Sequence, residues 1–371
     1  MAEPADTTTA PFTGPALWYG PDMTARQDGT LRLSAAHGAE LRTAVRTTRA
    51  RGATLLRMTV ADFPLPTLAA ELTRCAASLA EGPGFVLIRG IPADLLGGTQ
   101  AGTVLRGIGQ YLGRPVPQTA DGRTLCHIPD TGEVPDDPAP PSTPAARAPV
   151  PFHTPESDLL GLLCLRPARS GGRTLLAGAA AVHNAVLAAR PDLAGRLYGD
   201  HLFARPGEAS GAHLVSPLVT RLASRHGDRP SMRYDRARLD AGSRPSRTGA
   251  ADGVRATDDE LYDLVEAAAA SPAVRLELDL RPGDLLLLDN HVVLHARTAY
   301  EDHDAPEHGR HLLRLWLARD EDLRPPTRAG VVPRDVIHPG NLRPAQYACS
   351  ARHGTPPPPR THRDRSRTPR P

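Results

Sequence analysis

Lysine is absent from this 371-residue chain, because all 44 of its basic residues are arginine. Aromatic residues are also scarce, at 4%, so the core must be built from leucine, valine and alanine. The net charge is +3, but residues 343–371 carry seven arginines against one aspartate, which is +6 and leaves −3 for the remainder. The body of the protein therefore lacks the basic character of a nucleic-acid-binding domain.

Cysteine and long apolar runs are scarce as well. Cys75, Cys126, Cys164 and Cys349 are widely spaced and form no CxxC pair, which excludes a zinc motif or a disulfide framework of the usual spacing. The chain has no run of 18 apolar residues and no signal-peptide pattern at its start. We expect no membrane segment and a cytoplasmic location.

Composition divides the chain into three parts. Residues 1–14 are predicted to be a flexible start, 15–325 a single domain, and 326–371 a disordered tail rich in proline and arginine. Within the domain, the proline-rich segment 136–150 is long for a connection and is predicted to act as a lid.

The domain has helical patterns over about 35–82 and around residues 103–113, followed by apolar strand-like runs. A further helix is predicted at AVHNAVLAARPDLAGRLYG. Short strands separated by Gly and Pro favour a β-rich α+β fold with a jelly-roll core and flanking helices. The jelly-roll core is predicted mainly at 84–90 and 150–320. The alternative is an open α/β sheet, which the irregular order of the elements and the lack of a glycine-rich phosphate loop make weaker.

Two strand-like segments carry polar groups in an apolar setting. In GDLLLLDNHVVLHARTAY, His291 and His295 are four residues apart, a spacing that keeps both side chains on one face of a strand. In GRHLLRLWL, Arg310 and Arg314 are spaced in the same way, and a guanidinium there suits a carboxylate ligand. The simpler readings are a hydrogen-bonded interior histidine and an arginine that reaches the strand edge.

Together with PFHT....DLLGLLCLRPARSGGRT, GFVLIRGIP and LGRPVPQ, these segments resemble the TauD/TfdA-like superfamily of iron(II)- and 2-oxoglutarate-dependent oxygenases. The branch that looks nearest contains clavaminate synthase and the asparagine and arginine hydroxylases. The match runs from about Gly84 to Asp320 and covers roughly 240 residues. It implies a double-stranded β-helix core.

The resemblance also implies a site. His153 and the distal His295 match the iron-ligating histidines of the family, Thr174 and Arg314 match the residues that hold the far carboxylate of 2-oxoglutarate, and Arg310 matches a supporting arginine. The implied cofactors are Fe(II), 2-oxoglutarate as cosubstrate, and O2. The implied activity is oxidation, above all hydroxylation, of an amino acid or an amino-acid-derived intermediate of specialised metabolism, such as antibiotic biosynthesis, free or bound to a carrier protein.

Pro155 departs from the family pattern, which has Asp or Glu at this position as the third iron ligand. One explanation is that Glu156 fills the position, because a proline at a strand end can break the alternation of side chains. A second is that the position stays open for water or halide, as in related halogenases. A third is that the iron chemistry is lost and the fold serves a redox-neutral enzyme or a non-catalytic dicarboxylate-binding protein.

Asp235, in SMRYDRARL, falls where relatives place residues that contact the substrate's polar side chain. An acidic residue at that place suits a basic or amide-bearing substrate, whereas the alternative is a surface aspartate beside Arg236. The sequence leaves the substrate and the oligomeric state open.

Overall fold

The structure is a computed structural model that describes residues 10–26, 29–119, 122–129, 147–204, 218–242 and 252–319. Most of the predicted lid, 136–150, and the predicted tail, 326–371, lie outside these residues. None of the helices in the described ranges is long and apolar enough to cross a membrane.

Eight α-helices are found in the described ranges. They are α1 (Gly20–Arg26), α2 (Ala35–Ala50), α3 (Leu68–Glu81), α4 (Gly98–Gly109), α5 (Ala179–Ala189), α6 (Pro191–Ala194), α7 (Arg236–Gly242) and α8 (Asp252–Ala270).

Seventeen strands accompany these helices in the same ranges. They are β1 (Thr30–Arg32), β2 (Phe85–Arg89), β3 (Arg114–Pro115), β4 (Leu125–Pro129), β5 (Val150–His153), β6 (Leu159–Arg166), β7 (Ser170–Gly171), β8 (Thr174–Gly178), β9 (His201–Phe203), β10 (Leu218–Thr220), β11 (Ala223–His226), β12 (Arg229–Met232), β13 (Leu276–Leu278), β14 (Leu285–Asp289), β15 (Val293–Arg297), β16 (Tyr300–Glu301) and β17 (His311–Ala318).

The larger sheet has seven strands in the order β1-β2-β14-β6-β17-β3, with β4 paired to β17. Its central strands β14, β6 and β17 are leucine-rich and buried on both faces. One face packs against α2, α3 and α4, which contribute residues such as Leu41, Leu72 and Leu105 to a common core. This face explains why the helical patterns before residue 110 are amphipathic.

The smaller sheet has four strands in the order β13-β8-β15-β5. Its residues alternate between two cores: Leu294 and Ala296 of β15 pack with α5 and α8, whereas Val293 packs towards the larger sheet. Leu176 and Leu276 share that second core with Leu312 and Trp316 of the larger sheet. The two sheets therefore face each other, and polar side chains on their inner faces can meet between them.

Most of the predicted strands and helices are confirmed by the structure, with three differences. The helical pattern of 35–82 is two helices: α2 ends at Ala50, just before Gly52 with its φ of +62°, and Pro64 and Pro66 lie in the connection to α3. Helix α8 is an element that the sequence reading did not identify. Part of the predicted flexible start is anchored: Phe12 is buried, packs edge-on against His183, and its backbone exchanges two hydrogen bonds with Asn184.

Candidate active site between the two sheets

His153 and His295 lie directly opposite each other on neighbouring strands of the smaller sheet. In the antiparallel ladder between β5 and β15, each is the register partner of the other. Their ring centroids are 4.3 Å apart, with 45° between the ring planes. Opposed residues of an antiparallel pair project to the same face, so the sequence-distant histidines form one pair, here called the inner histidine pair.

The nitrogen atoms of the inner histidine pair have few protein partners. Nδ1 of His153 bonds to the carbonyl oxygen of Pro151 at 3.0 Å, and Nδ1 of His295 is buried with no hydrogen-bond partner among the residues that the structure describes. Burial, His153 and the Arg314 cation together hold the pKa of His295 well below its usual value. His295 is therefore neutral at physiological pH, which is the form of imidazole that binds metals.

Pro155 follows at the end of β5 and offers no donor atom. The backbone continues to pair beyond the strand, since Thr154 N donates to the carbonyl oxygen of Tyr234 at 2.8 Å and Thr154 Oγ1 accepts from Tyr234 N at 3.0 Å. Pro155 itself is buried within this paired segment. The residue two places after His153 therefore contributes no carboxylate to this part of the site.

Glu156 is held by two arginines. Its Oε2 accepts from Nη2 of Arg233 at 2.6 Å and its Oε1 accepts from Nη1 of Arg238 at 3.1 Å. All three side chains are largely buried. We call these three residues the Glu156 cluster. A carboxylate in this setting is committed to charge-assisted hydrogen bonds on both of its oxygens.

The structure does not bring Glu156 to the inner histidine pair. Among the residues that the structure describes, no three His, Cys, Asp or Glu side chains are grouped closely enough to hold a metal ion. The residues present thus fit a metal through two imidazoles, while the expected third side-chain ligand is not in place. The physical reason is the pull of Arg233 and Arg238 on Glu156, which the sequence reading did not foresee.

Thr174 and Arg297 lie beside the pair on the same sheet. Thr174 in β8 is the register partner of Arg297 in β15, two residues beyond His295. Residues two apart on a strand share a face, so Thr174, His295 and Arg297 all project between the sheets. The role predicted for Thr174 in binding 2-oxoglutarate stays a prediction.

Arg310 approaches the smaller sheet near Thr174. A Cβ atom at Gly172, whose φ is +68°, would lie 3.5 Å from Nε of Arg310. Nη1 of Arg310 is buried without a hydrogen-bond partner in the described part of the chain, and the guanidinium lies 5.4 Å from the centre of the Tyr300 ring. Burial, and then the charge of Arg297, lower the pKa of Arg310 to about 10, so it stays charged at neutral pH.

Arg314 lies closer to His295 and is oriented by a glutamine. Its Nε donates to Oε1 of Gln118 at 2.6 Å, and Nε2 of Gln118 donates back to the Arg314 carbonyl oxygen at 3.0 Å. The guanidinium also lies 4.8 Å from the centre of the Trp316 ring. The structure thus separates the two predicted anion-binding arginines: Arg310 is near Gly172, and Arg314 is near the histidine pair.

Asp235 lies just before α7 and has local partners. Its Oδ1 accepts from the backbone N of Arg238 at 3.2 Å, as a helix N-cap does, and its Oδ2 is 3.6 Å from Nε of the same arginine. Through Arg238 it is connected to the Glu156 cluster. The role predicted for Asp235 in substrate binding stays a prediction, with this structural role beside it.

His291 does not share a strand with His295, because it lies in the turn between β14 and β15. Its Nδ1 is 2.7 Å from Oγ of Ser231, and its Nε2 is 3.0 Å from Oδ1 of Asp158. It therefore connects the segment after β5 to β12. The expectation that His291 and His295 share one face of a strand is not met, because His291 is not in a strand.

Several site residues escaped the sequence reading. Arg233 and Arg238 flank the Asp235 that was singled out, but nothing in their spacing indicates a buried pairing with Glu156. Gln118 was a detectable case, because it is the last residue of the LGRPVPQ segment that carries part of the resemblance. Its partner Arg314 is 196 residues away along the chain.

Comparison with known proteins agrees with this geometry. The family described as "Taurine catabolism dioxygenase TauD, TfdA family" matches residues 46–316. That is most of the chain and includes every residue of the candidate site. The protein belongs to the TauD/TfdA family of dioxygenases, and the family prediction is confirmed.

Two curated proteins are related across most of the chain. FR-33289 synthase of Streptomyces rubellomurinus is 28% identical over 324 residues, which cover 85% of this chain and 93% of the relative. Taurine hydroxylase-like protein SAT17 of Stachybotrys chartarum is 29% identical over 316 residues, covering 82% and 79%.

Solved structures share the fold. Asparagine oxygenase in complex with Fe(II), 2S,3S-3-hydroxyasparagine and succinate has a TM-score of 0.60 at 18% identity, covering 79% of this chain and 94% of its own. The non-heme iron oxygenase OrfP in complex with Fe and alpha-ketoglutaric acid has a TM-score of 0.57 at 19% identity, covering 82% and 99%. The cofactor prediction, Fe(II) and 2-oxoglutarate with O2, agrees with the cofactors of these neighbours.

Proposed function

We propose that this protein is an iron(II)- and 2-oxoglutarate-dependent oxygenase that hydroxylates an amino acid or an amino-acid-derived small molecule. The observation that carries the proposal is the inner histidine pair, which faces Arg310, Arg314 and Thr174 between the two sheets. The two facing sheets are what a double-stranded β-helix requires, and we assign the core to that fold.

The iron would be held by His153 and His295. Both are imidazoles, which suit Fe(II), and the buried Nδ1 of His295 has no hydrogen-bond partner in the part of the chain that the structure describes. Pro155 supplies no ligand and Glu156 is engaged by two arginines, so we propose that this chain provides two side-chain ligands where its family provides three. When bound, the iron supplies the means to activate O2 while 2-oxoglutarate is decarboxylated to succinate.

The far carboxylate of 2-oxoglutarate would be bound by Arg310 together with Thr174. Arg310 is buried, charged and close to the Thr174 strand, and its Nη1 has no hydrogen-bond partner among the described residues. A buried guanidinium donor without an acceptor is costly, and a carboxylate ligand would satisfy it with strong charge-assisted bonds. Arg314, oriented by Gln118, would lie on the side of the metal site and attract the negatively charged cosubstrate.

The substrate would be a small molecule bound beside the histidine pair. We propose an amino acid, free or attached to a carrier protein, since the fold neighbours include an asparagine oxygenase and a complex of OrfP with (3S)-hydroxy-L-Arg. Asp235 is the residue proposed to contact a polar group of the substrate. We propose a cytoplasmic location, in keeping with the small, diffusible cosubstrates.

The proposal is tested by anaerobic titration of the protein with Fe(II) and 2-oxoglutarate, followed by exposure to O2 with a panel of amino acids. We expect the visible absorption band of the iron–2-oxoglutarate complex, then one succinate and one hydroxylated product for each O2 consumed with the right substrate. Absence of the band in a folded protein would count against the oxygenase assignment.

A halogenase is the second candidate, favoured by the absence of a carboxylate ligand at Pro155 and by the engagement of Glu156. The balanced reaction converts R–H, chloride, 2-oxoglutarate, O2 and a proton to R–Cl, succinate, CO2 and water. A chloride-dependent change of the absorption band, with chlorinated product, would favour this candidate over hydroxylation.

A further inference from the structure

A second pair of histidines lies on the larger sheet, away from the inner pair. Nδ1 of His127 in β4 is 2.8 Å from Nε2 of His311 in β17. Their neighbours on the same strand faces, Leu125 and Leu313, belong to the core that packs against α2–α4, so this outer histidine pair points away from the inter-sheet site. His127 is exposed and can exchange protons with solvent.

An arginine connects the outer histidine pair to the start of β17. Nη2 of Arg166 is 3.3 Å from Nδ1 of His311, and Nε of Arg166 donates to the carbonyl oxygen of Gly309 at 2.9 Å. Gly309 immediately precedes Arg310. The next backbone group, the N of Arg310, donates to Oδ2 of the buried Asp302 at 2.7 Å. Arg310 is therefore fixed by Asp302 at its own backbone and by Arg166 one residue before it.

The contact between Arg166 and His311 determines which ring nitrogens of His311 and His127 carry protons. A guanidinium can only donate, so Nδ1 of His311 must accept and the proton of neutral His311 is on Nε2. That proton is donated to Nδ1 of His127, whose own proton then lies on Nε2. A second proton on His127, at Nδ1, would point towards the N–H at Nε2 of His311, and the two donors would repel each other. If the His311 proton moved to Nδ1 instead, it would point towards the N–H groups of Arg166.

We infer that Arg166 is a positioning residue for Arg310, that the neutral outer histidine pair holds Arg166 in place, and that protonation of His127 weakens binding of 2-oxoglutarate. This inference rests on the proposed function, in which Arg310 binds the far carboxylate. It means that protonation at the surface of the larger sheet changes the affinity for 2-oxoglutarate.

The charged groups around the outer pair favour the neutral form of both histidines. Burial, then His127 and then Arg166, lower the pKa of His311 to about 4. Burial, and then Arg123 from the segment before β4, lower the pKa of His127. Among the residues that the structure describes, the charged or titratable groups that act on the pair are Arg123, Arg166 and the other histidine. These groups are basic, so the neutral arrangement is favoured at neutral pH.

The test measures the affinity of the full-length protein, loaded with Fe(II) without oxygen, for 2-oxoglutarate. At about pH 7.5 we expect Arg166→Met to weaken binding about tenfold, the size expected for a lost hydrogen bond to a charged group. Arg42→Met is the matched control, because Arg42 is an exposed arginine of α2 paired with Asp94, and it should bind as the wild type does.

The pH dependence separates positioning from simple packing. Between about pH 7.5 and 5.5 we expect wild-type affinity to fall about threefold more than that of His127→Asn, whose amide oxygen accepts the His311 proton but cannot be protonated. Unchanged affinity in folded Arg166→Met, or a wild-type pH profile in His127→Asn, would overturn the inference. Should Arg166→Met not fold, the His127→Asn profile decides alone.

The variant Arg310→Met separates the positioning role of Arg166 from the carboxylate-binding role of Arg310. If it loses 2-oxoglutarate binding while Arg166→Met and His127→Asn behave as wild type, only the positioning role fails. If Arg310→Met itself binds normally, the assignment of Arg310 to the carboxylate fails, and the positioning role fails with it.

Discussion

The molecule contains two pairs of neighbouring histidines, and their surroundings differ. In the outer pair, His127 and His311 bond directly to each other and Arg166 takes the next nitrogen. In the inner pair, the rings are nearer, 4.3 Å against 5.1 Å between centroids, yet Nδ1 of His295 has no hydrogen-bond partner within the described ranges. A pair whose nitrogens are already used is suited to structure, whereas a pair with unused nitrogens is suited to a metal.

The same contrast applies to the carboxylates. Glu156 is three residues from His153 in the chain, but its oxygens are engaged by Arg233 and Arg238. The proximity of a carboxylate in sequence therefore does not make it a ligand. Its charge is neutralised within the protein, and the proposed metal site is left with the two imidazoles of His153 and His295.

Removing an inner histidine should have the largest effect. We expect His295→Ala to weaken Fe(II) binding by at least about 1000-fold, because it deletes one of only two side-chain ligands. His127→Ala is the matched control from the outer pair and should retain wild-type affinity. Anaerobic metal titration by calorimetry measures both, and equal losses in the two variants would remove the distinction between the pairs.

Glu156→Gln should affect stability more than metal binding. Breaking this buried ion pair removes the charge that Glu156 offers to Arg233 and Arg238, and such a change typically costs about 3 kcal/mol of unfolding free energy. Denaturant unfolding measures this loss, and metal titration should show affinity within about twofold of the wild type. A large loss of Fe(II) affinity in the folded variant would instead make Glu156 a ligand.

Arg310→Met and Arg314→Met should separate the two arginines. Loss of a charge-assisted bond to the carboxylate is worth about 2 kcal/mol, so we expect Arg310→Met to weaken 2-oxoglutarate binding about 30-fold. Arg314→Met should have the smaller effect on this affinity, because Arg314 lies beside His295. The reverse ranking would restore the sequence-based assignment, in which Arg314 is the principal carboxylate ligand.

The outer pair should contribute a smaller, pH-dependent part of the stability. Because the pKa of His311 is lower in the folded protein than the ordinary histidine value, its contribution is complete above about pH 6.5 and is lost as the pH falls towards 4. Allowing for its partial exposure, we expect a loss on the order of 1 kcal/mol over this range. Unfolding curves of wild type and His311→Asn measure it, and the variant should lack this part of the pH dependence.

The sequence predicted the strands because they depend on local pattern and on the family resemblance. The runs around β6, β14 and β17 are long and leucine-rich, so their burial was readable. The register that sets His153 opposite His295 joins strands that are far apart along the chain, and local pattern does not reveal it. The contacts of Glu156 could not be read either, because Arg233 and Arg238 are 77 and 82 residues away along the chain. The orientation of His291 was likewise set by a turn, which spacing alone did not reveal.

The most direct test of the account is the iron–2-oxoglutarate absorption band, measured without oxygen in the wild type, Glu156→Gln and His295→Ala. We expect one complex per chain in the wild type, the same band in Glu156→Gln, and no band in His295→Ala. A folded wild type without the band, or a folded Glu156→Gln that loses it, would contradict a site built on the inner histidine pair alone.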